Sequence, residues 1–316
     1  MSASAAAART PRRASASRAA SPLARGALAT RLAAFERYFA ASLESHASAA
    51  RRLDQAIRYS ALSPGKRLRP LLVLASAEAV GGDWRIALPA AAATECVHAF
   101  SLVHDDLPAM DDDDYRRGRL TTHRRFGEAL GVLAGDALLA MAFDELVRLA
   151  ERGVAAPRVL EAVRVLAWAS GAEALVAGQA LDIAAEGRRV SRADVAAIHE
   201  RKTGALIGAA MALGALAGGA ASARVEAFGA AGMKLGLAFQ IHDDLLNAGS
   251  SLARLGKRSG TDAARGKATF PRAVGVERSI VEAAALLADV RRTVRAQAAR
   301  PRVLLSLIDA VARRDR

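Results

Sequence analysis

An all-α protein is predicted by three features of this 316-residue sequence. Alanine, the best helix former, dominates the composition, and aromatic residues make up only 4%. Stretches that alternate with period two, the mark of a half-buried strand, are few. Apolar residues recur instead at spacings of three and four, first at Leu32, Phe35, Phe39 and Leu43. With 52% hydrophobic residues the chain can bury a large core, and no linker divides it. One domain is therefore expected over residues 30–316, behind a tail at 1–29.

That tail is low-complexity Ala, Ser and Arg without acids. It lacks the continuous apolar run of a secretory signal; a disordered tail is expected, with an organelle transit peptide as the alternative. The chain is otherwise expected in the cytoplasm. A helix then starts near Thr30, and a second, over about 48–61, stops at Ser63-Pro64-Gly65. Pro70 suits the first turn of a third, which runs to about Val80 before Gly81-Gly82. A fourth leads from about Leu88 into an acidic cluster, where Pro108 marks a bend. Further helices are expected at about 129–151, 156–177, 191–221, 224–247, 272–297 and 302–314. Ser191 and Asp194 have the spacing of a capping box, and 248–266 reads as a long loop, a candidate lid. Residues 203–223 carry no charge and contain Gly204/Gly208 and Gly214/Gly218 spacings, the length of a membrane span. Ala and Gly fill most of it, so a central buried helix is expected rather than an integral membrane protein.

The net charge of +13 sits at the ends: residues 1–35 and 291–316 each carry +6, leaving +1 for the 255 residues between. A nucleic-acid-binding domain would carry a basic face on its body, with aromatics interleaved for stacking, and neither is present. Nucleic acid is not an expected partner. The lone cysteine, Cys96, excludes an intrachain disulfide.

Chemistry concentrates in Glu95–Arg125. Six carboxylates, Asp105, Asp106 and Asp111 to Asp114, fall within ten residues and are followed by Arg116, Arg117, Arg119, Arg124 and Arg125. Carboxylates that close repel one another unless cations join them, and hard divalent ions beside basic residues suit a phosphorylated substrate. An EF-hand is excluded, because the only frame with glycine at position six puts Arg124 at position twelve. A second acidic site is Phe239-Gln240-Ile241-His242-Asp243-Asp244-Leu245-Leu246-Asn247, with Asp243 and Asn247 on one helix face. Basic residues at Lys66, Arg67, Arg69, Lys202, Lys257 and Lys267 complete what a bound diphosphate needs. A P-loop is excluded, since Gly260 to Gly266 has five intervening residues and Ala268 replaces the hydroxyl.

DDLPAMDDDDYRRG, FQIHDDLLN, GKRLRP, HERKTGAL and LGKRSGTD…GKATFP, in one order, resemble the trans-isoprenyl diphosphate synthases, most of all the bacterial-type farnesyl diphosphate synthases. The resemblance covers the chain from about Thr30 onward. It implies an isoprenoid-synthase helical bundle around a central cavity and a prenyltransferase joining isopentenyl diphosphate to dimethylallyl or geranyl diphosphate. It implies two or three Mg²⁺ ions, or Mn²⁺, held by Asp105, Asp106 and Asp111 on one wall and by Asp243 and Asp244 on the other. Arg116, Lys202, Thr203, Gln240 and Lys257 would hold the allylic diphosphate, and Lys66, Arg69, His98 and Arg117 isopentenyl diphosphate, with Lys267 a further substrate-binding residue. A homodimer is also implied. Phe100 and Ser101, just before the first motif, would line the elongation cavity, with Phe100 about 7.5 Å below the metals. An aromatic there resembles a farnesyl-type floor, so farnesyl diphosphate is the expected product and geranylgeranyl diphosphate the alternative. The family's second motif ends in aspartate where this chain has Asn247, which leaves a weakly active, modulatory homologue as a further alternative.

Overall fold

Ser63-Pro64-Gly65 and Gly81-Gly82 punctuate the chain as expected, and helices fill the stretches between them. The computed structural model describes residues 26–253 and 267–312. In order they form α1 (Ala27–Ser45), α2 (Arg51–Ala61), α3 (Leu68–Ala79) and α4 (Leu88–Asp105). A two-stranded hairpin follows, β1 (Tyr115–Arg116) with β2 (Arg119–Leu120), then α5 (Thr122–Phe126), α6 (Glu128–Val147) and α7 (Ala156–Ser170). The chain continues through α8 (Leu175–Ala185), α9 (Arg192–His199), a π turn (Glu200–Gly204), α10 (Ala205–Ala217) and α11 (Ser222–Ala253). It ends with α12 (Phe270–Val274), α13 (Val276–Gln297) and α14 (Arg302–Ala312).

Helix α10 is the axis of the bundle. All thirteen of its residues are buried, and it packs against α3, α4, α7 and α11. No helix among the described residues is long and apolar enough to cross a membrane. The glycine spacings set helix approach instead. A Cβ at Gly232 of α11 would stand 2.7 Å from the Gly208 Cα, and one at Gly214 would stand 2.1 Å from the Val73 carbonyl oxygen of α3. Gly232→Ala is expected to destabilise the fold by about 1–3 kcal/mol, the usual range for overpacking a tight contact. A lower urea midpoint at unchanged slope would register it.

Several boundaries differ from expectation for identifiable reasons. Helix α1 begins at Ala27, inside the stretch assigned to the tail, because Ala and Leu there favour helix. The helix expected over 156–177 breaks at Gly171, and α8 lies where a loop was expected up to Ser191. The Ser191–Asp194 capping box starts α9 as expected, with the Ser191 amide donating to Asp194 Oδ2 at 2.9 Å. Helix α11 runs to Ala253, so the expected loop at 248–266 is helical at its start; 254–266, Lys257 and 1–25 lie outside the described residues. The β-hairpin was not expected. Arg117 and Gly118 both take positive φ (53° and 75°), the I′ geometry that two-residue hairpins favour.

Candidate active site

Between α4, α8 and α11 lies a cavity of about 720 Å³. One wall is the end of α4 and the loop after it, with Ser101, Leu102, Asp105 and Asp111. The Asp111 amide donates to the Asp105 carbonyl at 2.8 Å, so the chain folds back past Pro108 and sets Asp111 beside Asp105. The opposite wall is α11, with Phe239, Gln240, Asp243 and Asn247. Leu175 and Gln179 of α8, Lys202 and Thr203 of the π turn, and Lys267 also line it. Lys66, Arg69, His98, Arg116 and Arg117 line the cavity as well.

The turn bearing Lys66 and Arg69 is shaped by the residue between them. Arg67 takes the left-handed conformation (φ 48°), is buried and forms an ion pair with buried Glu95 of α4. That pair holds the Arg67 guanidinium against α4, and Lys66, Arg67 and Arg69 all line the cavity. Arg117 lies across the same turn, its Nη1 donating to the Pro64 carbonyl at 2.7 Å.

Charge is finely opposed here. Burial pushes the Asp105 carboxyl up to about 6; Lys202 pulls it down, and neighbouring Asp111 pushes it up again. Burial also works against the charge on Lys202, but Asp105 and Asp182 outweigh it and hold the ammonium above its ordinary value. The Lys202 Nζ donates to Asp182 Oδ2 at 2.7 Å. Lys267 Nζ donates to Asp111 Oδ1 at 3.2 Å, an ammonium set against the first carboxylate wall. Desolvation, then Arg69, Arg117, Arg116 and Arg67, hold His98 well below its ordinary value and so neutral.

Three residues that the resemblance placed at the cavity do not line it. Asp106 is 3% exposed, and its Oδ1 accepts from Arg116 Nε at 2.7 Å; it orients that guanidinium. Asp244, 5% exposed, is likewise bonded inward. Phe100, 6% exposed, sets its ring edge-to-face with His104 at 5.6 Å, whereas Ser101 beside it faces the cavity. Gln179 lines the cavity, and Asp182, one turn further along α8, holds Lys202; neither is marked by the sequence motifs. Their spacing of three on one helical face is the available signal, masked because the Ala- and Gly-containing sequence of α8 shows little amphipathic period.

The oxygen-only donor set of Asp105, Asp111 and Asp243 on facing walls fits hard divalent cations. Among the described residues no three acidic, His or Cys side chains enclose an ion by themselves. Mg²⁺ accepts that arrangement, taking one or two carboxylates and completing its shell with water and substrate phosphate.

The polyprenyl synthetase family matches residues 50–305. The chain belongs to that family. It is 46% identical over 230 residues to "Geranylgeranyl pyrophosphate synthase 11, chloroplastic" of Arabidopsis thaliana, a match spanning 72% of this chain and 64% of that protein's length. Among solved structures, an apo FPP/GFPP synthase from Zymomonas mobilis superposes with TM-score 0.77 at 34% identity, covering 90% of this chain and 99% of that one. A geranyltransferase from Helicobacter pylori, complexed with magnesium and isoprenyl diphosphate, gives TM-score 0.72 at 28% identity, covering 93% and 97%. The all-helical isoprenoid-synthase fold is thus shared with these polyprenyl synthetases.

Proposed function

We propose that this polyprenyl synthetase is a Mg²⁺-dependent prenyltransferase that adds isopentenyl diphosphate to an allylic diphosphate and extends the product to C20, geranylgeranyl diphosphate. The observation that carries the reading is a single cavity lined by carboxylates from α4, the loop after it and α11, and by basic residues from the 64–69 turn, the hairpin, the π turn and Lys267. Bound Mg²⁺ would supply charge neutralisation to the diphosphate leaving group, held by Asp105, Asp111 and Asp243. Lys202, Lys267 and Arg116 bind the allylic diphosphate and stabilise the negative charge that grows as its C–O bond breaks. Lys66, Arg69 and Arg117 bind isopentenyl diphosphate, whose terminal alkene carbon attacks the allylic cation. The released diphosphate takes the proton lost from the condensed chain, so no side-chain base is required.

The C20 product is supported by the name of the Arabidopsis relative and by the small Ser101 on the cavity wall. The aromatic Phe100 expected to floor the cavity is turned into packing against His104. A C15 product is the second reading, favoured by the aromatic at that position and by the FPP/GFPP synthase among the solved structures. Purified protein incubated with Mg²⁺, isopentenyl and dimethylallyl diphosphate should yield mainly C20 product. A C15 end point would return the function to the farnesyl reading, and no prenyl product with Mg²⁺ or Mn²⁺ would sink the enzyme. Ser101→Phe is expected to shift the distribution at least one C5 unit shorter, because it fills the wall below Asp105.

Asn247 lines the cavity one helical turn from Asp243. It offers a neutral carbonyl oxygen, and a non-catalytic, modulatory role rests on it alone. Asn247→Asp should leave turnover equal or raise it a few-fold, as expected where an added carboxylate only strengthens a metal site; a clear loss would contradict this. A homodimer belongs to the same reading: Leu133 of α6 and Leu160 and Trp168 of the adjacent α7 are exposed and apolar, a surface a second copy would cover. The chloroplastic relative favours an organellar destination for this chain.

A further inference from the structure

The second acidic motif divides its two adjacent aspartates between opposite sides of α11. Asp243 lines the cavity, and Asp244 lies behind it, 5% exposed. A carboxylate so buried is tolerated only when its oxygens are satisfied. Here three donors from three chain segments meet on it. His199 Nε2 stands 2.8 Å from Asp244 Oδ2. The same oxygen accepts the Phe270 backbone amide at 3.0 Å, and Oδ1 accepts Gln240 Nε2 at 3.3 Å. Facing a carboxylate, Nε2 must carry the proton, so His199 is the donor. Its ring also stacks on Phe270, with centroids 5.7 Å apart.

What hangs from these segments is the basic side of the cavity. His199 ends α9, and three residues later the π turn presents Lys202. Phe270 opens α12, and three residues earlier Lys267 reaches Asp111. Gln240 passes the tie on, its Oε1 accepting from Thr203 Oγ1 at 3.1 Å. One buried carboxylate therefore fixes where Lys202, Thr203 and Lys267 stand relative to Asp105 and Asp111. π turns within helices often sit at functional sites, and this one needs such an anchor because its widened ring does not repeat along the helix.

We propose that His199 is a positioning residue, which through Asp244 and the Phe270 amide clamps the π turn and the 267–270 segment so that their lysines address the leaving diphosphate. The kinetic part rests on the prenyltransferase reading. Asp244 then serves as the centre of this clamp and not as a metal contact.

Two variants test it. His199→Phe keeps the ring stacked on Phe270 but removes the donor, whereas His199→Gln restores a donor at nearly the same reach. Hydrogen exchange at the Phe270 amide, followed in the free protein, reads the clamp without any turnover. Exchange should quicken at least 10-fold in His199→Phe and return close to wild type in His199→Gln; equal exchange in all three overturns the clamp whether or not the protein is a prenyltransferase. In kinetics, His199→Phe should lower kcat/KM for the allylic diphosphate by about 10- to 100-fold, the usual scale for losing an outer partner of a site. The KM for isopentenyl diphosphate should stay within about 2-fold, because Lys66, Arg69 and His98 stand on other elements. His199→Gln should recover most of the loss. Equal impairment of both substrates, or no rescue by glutamine, would show a merely structural histidine and overturn the positioning role. If wild type makes no prenyl product, the function fails, and the exchange result still decides the clamp.

Discussion

Asp105→Asn is expected to lower the turnover number about 10³-fold at saturating Mg²⁺ while making the substrate-free protein more stable at pH 8. The first effect follows from the charge this carboxylate provides for metal and diphosphate, a contribution of several kcal/mol to a developing leaving group. The second follows from its burial. Folding raises the Asp105 pKa from 3.8 to about 6, so the folded protein takes up a proton between those values. Stability of the metal-free protein should therefore fall as pH rises across that window and remain lower above pH 6. Asparagine has no charge to desolvate, so the variant should melt higher than wild type at pH 8 and alike at pH 4. Mg²⁺ with inorganic pyrophosphate should raise the wild-type melting temperature more at pH 7.5 than at pH 5, because protons and metal compete for one carboxylate. A variant that loses activity with no gain in stability at pH 8 would show that ionised Asp105 is not held under strain in the fold.

Much of this arrangement was legible in the chain, and the misses have physical causes. Helical periodicity and breakers located α1 to α4 because their apolar faces and their Gly or Pro ends coincide. Composition separated α10 from a membrane span because Ala and Gly make a tight helix contact without making a lipophilic surface. The first carboxylate wall is visible because like charges rarely crowd without a cation. Asp243 and Asn247 alone make an ordinary polar helix face, so the second wall is legible only through the family resemblance. Side-chain direction was not visible. Neighbours such as Asp243 and Asp244, or Phe100 and Ser101, point about 100° apart on a helix, and which one faces the cavity depends on packing partners distant in sequence. The role of Asp244 depends on His199 and Phe270, 45 and 26 residues away. Asp182 was missed with α8, whose Gly-containing, Ala-rich sequence carries little amphipathic signal of its own.

Lys202→Ala is expected to cost about 10²- to 10³-fold in kcat/KM for the allylic diphosphate, the scale of losing one preorganised charge-stabilising group. It should also move the acid limb of the pH profile toward higher pH. Lys202 is the largest influence lowering the Asp105 pKa against burial. Without it Asp105 holds its proton more tightly, and a higher pH is needed to free the carboxylate for metal. Excess Mg²⁺ should move the limb back toward lower pH, since metal displaces that proton by mass action. Asp182, half-buried, is left beside an absent ammonium, so the single variant should also lose some stability. Adding Asp182→Asn should restore the melting temperature but not the activity, which separates the fold's need for the pair from the reaction's need for the cation. An acid limb that stays in place, or moves toward lower pH, in Lys202→Ala would mean that Lys202 and Asp105 do not act on one another in the working enzyme.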